Sequence, residues 1–149
     1  MAKGIRVLIV DDDLSIRRLL RKVMELIGVE DVIITNEGKS ALVIFNEMNP
    51  DIVFADYVMP EMDGLELLEA IKSRSPEKPV VIYTGKYDKR LIDKIEEAKN
   101  KPDFALQKPN ITMEKLANIM DECFPEQEFR KKYRENIQKI IKENDPSDN

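Results

Sequence analysis

The chain has 149 residues, 42% hydrophobic and 36% charged, with a formal net charge of −5, which suits one soluble domain with a real core and some residues to spare. It contains no histidine, which excludes Ser-His-Asp and Cys-His nucleophilic constellations, histidine-ligated zinc and a histidine phosphocarrier. Its longest apolar runs are four to five residues, too short to cross a membrane, and its acidic balance argues against a nucleic-acid-binding body.

Met1-Ala2-Lys3-Gly4 leads straight into a strand-like run, without the apolar stretch of a signal peptide. A single cysteine, Cys123, leaves no internal disulfide. Both features predict a cytoplasmic, reducing location.

In chain order, strand-like runs occupy residues 6–10, 32–35, 52–55, 80–83 and, more weakly, 104–106. Helical periods separate them. Ile16, Leu19, Leu20, Val23 and Ile27 form the first, ending near Gly28; Ala41, Leu42 and Phe45 mark the second. Leu65, Leu68 and Ile71 mark the third, Leu91, Ile92 and Ile95 the fourth, and Leu116, Ile119, Met120 and Cys123 the fifth. Pro79 stands at the start of the fourth strand, where a missing N–H is tolerated. This (βα)5 alternation predicts an α/β fold with a doubly wound parallel sheet and helices on both faces, complete near Phe124-Pro125.

Beyond it, residues 125–149 predict a sixth helix and a frayed tail from Asn144. Phe129, Tyr133, Ile137, Ile140 and Ile141 make an apolar stripe within charge that includes Arg130-Lys131-Lys132 and Arg134. The stripe suits folding back on its own domain or extending helix five; a dimerisation or partner-docking face is the sharper alternative. Nucleic-acid contact is disfavoured by the interleaved Glu126, Glu128 and Glu135.

Chemistry concentrates at the strand ends. Asp11-Asp12-Asp13 directly follow Val7-Leu8-Ile9-Val10, and close carboxylates at an effective dielectric of about 20 repel by about 4 kcal/mol per pair. Protons or a cation must relieve that repulsion, and a hard divalent ion suits oxygen ligands. Ligands of open α/β sheets bind beyond the carboxyl ends of the strands. There the first strand delivers Asp11 and Asp12, the third Asp56, the fourth Thr84, and the fifth leads to Lys108. Asp11, Asp12 and Asp56 suit Mg²⁺; Asp56 beside a metal can attack a phosphoryl group to form an aspartyl phosphate. Thr84 offers a hydroxyl and Lys108 a positive charge to phosphoryl oxygens, while Gly85 leaves room for a bulky donor. Asp13 reads as a helix cap. Met59, Met62 and Cys123 read as packing. Gly38-Lys39-Ser40 matches the end of a phosphate loop by chance, because Ile33 holds the upstream glycine position.

As a set, Val10-Asp11-Asp12, the Asp56-x-x-Met59-Pro60-x-Met62-Asp63-Gly64 run, Thr84-Gly85 and Lys108-Pro109 resemble the receiver domain of two-component response regulators. The resemblance covers about residues 4–124. It implies a flavodoxin-like strand order 2-1-3-4-5 and phosphorylation of Asp56 by a sensor histidine kinase. It also implies Mg²⁺ held by Asp11, Asp12, Asp56 and the backbone carbonyl of Val58. Thr84 and Lys108 would sense the phosphoryl group and pull the fourth and fifth βα regions into a new arrangement. The output would be a protein–protein contact through helix four, strand five, helix five and the sixth helix. The chain would be a signalling protein rather than an enzyme with turnover.

Two positions depart from the family pattern. Ala105 stands where an aromatic switch residue is common, with Phe104 one position earlier, and Asn110 stands where phenylalanine usually follows Lys-Pro. Val58 and Lys86 occupy the positions that tune phosphoryl lifetime; Val58 cannot orient a hydrolytic water, which predicts slow autodephosphorylation. Two other classes remain open. A Mg²⁺-dependent phosphohydrolase of the haloacid-dehalogenase type wants an aspartate where Val58 stands, and a non-phosphorylated scaffold or dimerisation module would keep the fold and signal by binding alone.

Overall fold

The computed structural model describes residues 4–108 and 111–148. Met1, Ala2, Lys3, Pro109, Asn110 and Asn149 lie outside the described residues, among them one member of the Lys-Pro pair and the adjacent departure at Asn110. Five strands alternate with five helices: β1 (Arg6–Val10), α1 (Leu14–Leu26), β2 (Asp31–Thr35), α2 (Gly38–Met48), β3 (Ile52–Asp56) and α3 (Gly64–Arg74), then β4 (Val80–Thr84), α4 (Lys89–Glu97), β5 (Phe104–Gln107) and α5 (Met113–Cys123). A short 3-10 turn, Pro125–Gln127, leads into α6 (Phe129–Glu143). The strands form one parallel sheet in the order β2-β1-β3-β4-β5, as the family resemblance implied. The tail carries a second 3-10 turn at Pro146–Asp148.

Side-chain alternation along the strands splits the core in two. Val7 and Ile9 of β1 point with Phe54 and Tyr83 toward α1 and α5, where Leu20, Met24, Leu116 and Met120 cover them. Leu8 and Val10 point with Val53 and Ile82 toward α2 and α3, where Phe45, Leu68 and Ile71 cover them. β3 and β4 are buried along their whole length, which is why they read as continuous apolar runs rather than alternating ones. Each ends one residue later than its apolar run, on the polar residues Asp56 and Thr84.

The α1 stripe is rotated from the sequence expectation. Leu20, Met24 and Ile27 face the sheet, whereas Leu19 is 58% exposed. Leu19 lines a groove of about 660 Å³ between α1 and α5 with Ile16, Val23, Leu26, Ile111 and Leu116. The helix touches the sheet along i, i+4 and i+7, and Leu19 belongs to the neighbouring ridge. In α4 likewise only Leu91 is buried, and Ile92 is exposed. Asp13 caps α1 as expected, its Oδ1 accepting from Ser15 N at 2.8 Å and Ile16 N at 3.4 Å. Cys123 packs against the α1/α5 core, and burial pushes its thiol up to about 11.

α6 folds back on its own domain instead of extending α5. The break is made by Glu128 in a left-handed conformation (φ 54°), which supplies no side-chain cap. The cap comes from α5: Asp121 Oδ1 accepts from Phe129 N at 2.6 Å and Oδ2 from Arg130 N at 3.1 Å. Phe129 is 1% exposed and Tyr133 packs beside it in the α1/α5 core. Asn136 Nδ2 donates to the Leu26 carbonyl at the end of α1, 2.8 Å away. Gly28 (φ +99°) lets Lys132 lie across the turn after α1, since a Cβ there would stand 2.7 Å from Lys132 Cδ. The last turns rise off this seat, with Ile140 and Ile141 exposed.

Truncation should separate the two halves of α6. Phe129→Ala is expected to cost about 3–5 kcal/mol in urea unfolding, whereas Ile141→Ala should stay within about 0.5 kcal/mol. Equal small effects would show that α6 is not anchored to the domain.

Candidate functional site

A parallel sheet places all its carboxyl ends along one edge, and the polar strand-end residues gather there. Asp11 follows β1, Asp56 ends β3, Thr84 ends β4 and Lys108 follows β5. Asp56 pairs with Tyr83 across β3 and β4, so Thr84 stands one residue beyond that pair. Carboxylate oxygens of Asp11, Asp12 and Asp56 all lie within 4.8 Å of one another. Asp11 is fully buried and Asp56 is 6% exposed, whereas Asp12 opens to solvent.

Every oxygen of the two buried carboxylates has a donor. Asp11 Oδ1 accepts from Asp13 N at 2.8 Å. Its Oδ2 accepts from the Tyr83 hydroxyl at 2.9 Å and from Lys108 Nζ at 3.2 Å. Asp56 Oδ1 accepts from Val58 N at 3.2 Å, and Oδ2 from Lys108 Nζ at 3.3 Å. One ammonium thus bridges the two carboxylates. The Lys108 N–H donates to the Thr84 carbonyl at 2.8 Å, tying the β5 and β4 exits together. Thr84 is buried, and its Oγ1 accepts from Lys86 N at 3.1 Å.

The turn between Asp56 and α3 is shaped by close approach. A Cβ on Gly64 would stand 2.5 Å from the Asp56 carbonyl oxygen, so only glycine lets α3 start against the end of β3. Gly64 N donates to the Tyr57 carbonyl at 2.9 Å, and Asp63 caps α3 through Glu66 N. Met62 packs on Gly38, which accounts for that glycine without any phosphate loop. Gly85 faces open space. The Val58 side chain is 58% exposed beside the cluster. Ala105 pairs with Ile82 on β5, while Phe104 turns to the opposite face and packs in the α1/α5 core. No aromatic ring therefore stands at position 105 or substitutes for one from position 104.

Sequence reasoning missed Tyr83. Its signal was a phenol in an otherwise aliphatic buried strand, since a buried tyrosine hydroxyl needs a partner. Here that partner is Asp11. Burial first, then the neighbouring Asp11 carboxylate, pushes the phenol well above 10, so it remains a protonated donor.

Burial and the adjacent Asp11 carboxylate raise the Asp56 carboxyl above its ordinary value, against the opposing pull of Lys108 and the Val58 N–H. Three carboxylates face one ammonium, which leaves two negative charges uncompensated. The donor set is all oxygen, with no nitrogen or sulfur ligand, and one carboxylate is open to solvent. That chemistry fits a hard divalent cation of the Mg²⁺ type.

The raised Asp56 carboxyl has a stability consequence. Its ionisation is disfavoured by folding, so the cost is present at neutral pH, fades as the pH falls through the raised folded value, and is gone below 3.8, where both folded and unfolded chains bind the proton. Asp56→Asn should therefore raise the melting temperature at pH 7, measured without added divalent cation. The gain should shrink on acidification in thermal scans from pH 7 to 4. A gain that grows toward acid would reverse the sign.

Comparison with known proteins agrees with this geometry. A sequence model described as the response regulator receiver domain matches residues 7–121. Regulatory protein AtoC of Escherichia coli is 40% identical over 80 residues, covering 54% of this chain and 17% of that protein. The DNA-binding transcriptional regulator NtrC of Salmonella typhimurium is 41% identical over 88 residues, covering 59% of this chain and 18% of its own length. The chain thus spans under a fifth of either relative. Among solved structures, a response regulator receiver domain protein from Clostridium thermocellum superposes with a TM-score of 0.72 at 27% identity, covering 83% of this chain and 96% of that one. A Francisella response regulator receiver domain gives 0.71 at 28% identity, covering 83% and 99%. With the strand order, the strand-end acids and the bridging lysine all in place, this chain belongs to the response regulator receiver domain family.

Proposed function

We propose that this chain is a phosphorylatable signalling switch, in which Asp56 accepts a phosphoryl group from a sensor histidine kinase. The observation that carries the reading is the Lys108 ammonium bridging Asp11 and Asp56, with Asp12 close by and open to solvent. Asp11, Asp12, Asp56 and the Val58 backbone carbonyl would hold Mg²⁺. The bound ion would neutralise charge on the phosphoryl oxygens as they approach three carboxylates.

The chain's own groups do the rest. An Asp56 carboxylate oxygen attacks phosphorus as the bond from phosphorus to the donor breaks, a P–N bond with the imidazole departing or, for an acyl phosphate, a P–O bond with the carboxylate departing. The phosphoryl group arrives from another protein or from a small acyl phosphate, since this chain has no histidine. Lys108 leaves its shared position for a phosphoryl oxygen, and the Thr84 hydroxyl donates to another. Because Lys108 N is bonded to the Thr84 carbonyl, the two exits move together. With alanine at 105, the signal travels through these loops rather than a rotating ring. The receiver spans 4–124 with residues 125–149 as an appended helix and tail, and the output is a protein contact formed by α4, β5, α5 and α6. Catalytic turnover is not part of this role. A reducing cytoplasmic setting suits the free thiol of Cys123.

Incubation with Mg²⁺ and acetyl phosphate should add about 80 Da, the mass of one phosphoryl group, in intact-mass spectrometry. The adduct should require Mg²⁺ and be absent in Asp56→Asn. A folded wild type that takes no adduct would favour a scaffold that signals by binding alone.

The wild-type adduct should decay over many minutes, because Val58 offers no polar group to orient water. Val58→Asn should shorten that decay in the same assay. A wild-type half-life of seconds would contradict the role given to Val58.

A further inference from the structure

We propose that Tyr83 is a positioning residue of this site, whose hydroxyl keeps the Asp11 carboxylate oriented toward the divalent cation and is the donor left on it when Lys108 transfers to the phosphoryl group. The proposal rests on the reading of Asp56 as phosphoacceptor and adds a residue that the family motifs do not contain.

Lys108 cannot serve every partner at once. It stands 3.2 Å from Asp11 Oδ2 and 3.3 Å from Asp56 Oδ2, an even division between the two. Once a phosphoryl group offers it several anionic oxygens, the ammonium is drawn off Asp11. Asp11 is fully buried, so no solvent replaces the lost donor. A buried carboxylate short of donors turns to find another partner, which spoils its orientation as a metal-site group.

Tyr83 prevents this. Its ring is 1% exposed and packs in the α1/α5 core. Its hydroxyl lies 2.9 Å from Asp11 Oδ2 and 3.4 Å from the Val10 carbonyl, and its one proton goes to the closer, charged acceptor. It is the donor that remains on Oδ2 after Lys108 departs. The same ring lies 4.9 Å beneath Lys108 Nζ, a cation–π contact that gives the ammonium a surface along which to leave. The hydroxyl and the ring therefore have separable tasks, and phenylalanine removes only the first.

The test is calorimetric titration of Mg²⁺ into the full chain, as wild type and Tyr83→Phe, with acetyl phosphate labelling across a Mg²⁺ series. Loss of a group that orients a ligand from behind weakens metal affinity by about tenfold or more. Y83F should show that loss, and half-maximal labelling should need about tenfold more Mg²⁺. At saturating Mg²⁺ its labelling rate should return to within about twofold of wild type. Tyr83→Met, which removes ring and hydroxyl but leaves a long apolar side chain, should lose at least as much affinity. A folded Y83F with unchanged Mg²⁺ affinity overturns the proposal, as does a labelling loss that Mg²⁺ does not restore. If Y83F does not fold, unchanged affinity in Y83M overturns it equally. Failure of wild type to bind Mg²⁺ and accept phosphoryl would instead remove the phosphoacceptor reading on which the proposal depends.

Discussion

The Lys108 ammonium sits between two carboxylates that burial and mutual repulsion would otherwise drive apart. Asp11 has no solvent contact and Asp56 almost none, so each would be costly to hold ionised without a partner. One positive charge shared by two acids is enough to keep the cluster closed and too little to satisfy it. The residual negative charge makes the site ready for a cation, and the divided attention of the lysine makes it ready to change. Fully paired acids would be inert; wholly unpaired ones would be protonated.

That balance depends on the sheet. Parallel strands in the order β2-β1-β3-β4-β5 bring the ends of β1, β3 and β4 side by side, with β5 outermost. The apolar runs that bury β3 and β4 on both faces fix the register, and register sets the height of Asp56 against Tyr83 and Thr84. Gly64 then lets the chain turn tightly enough that α3 does not crowd the acid it follows. Packing of the two half-cores and placement of the charged groups are one problem, solved at the same strand ends.

α6 shows how an appended segment is fitted to such a domain. Its N-terminus borrows Asp121 from α5 as a cap, its Phe129 fills the α1/α5 core, and Asn136 reaches the end of α1. α5 follows the loop from Lys108, and α1 follows the acids at the end of β1. The helix therefore rests on the far ends of the two elements whose near ends frame the site. The groove between α1 and α5, with Leu19 open in its wall, lies on the same side of the molecule.

Much of this was legible before any fold was built. Apolar runs separated by helical periods dictated an alternating α/β chain, and the acids after the first and third runs, with Thr84 and Lys108 after the fourth and fifth, marked the edge where chemistry would occur. These are local signals, because strand burial and strand termination are written in consecutive residues. What only the tertiary structure decided was which groups share a proton or a charge. The bond from Tyr83 to Asp11 spans 72 positions and that from Lys108 to Asp11 spans 97, so no local period could reveal either. The exposure of Leu19 and the docking of α6 by Asp121 and Asn136 belong to the same class. Residue type sets what a side chain can do, but the packing of helices on the sheet determines which partner it meets.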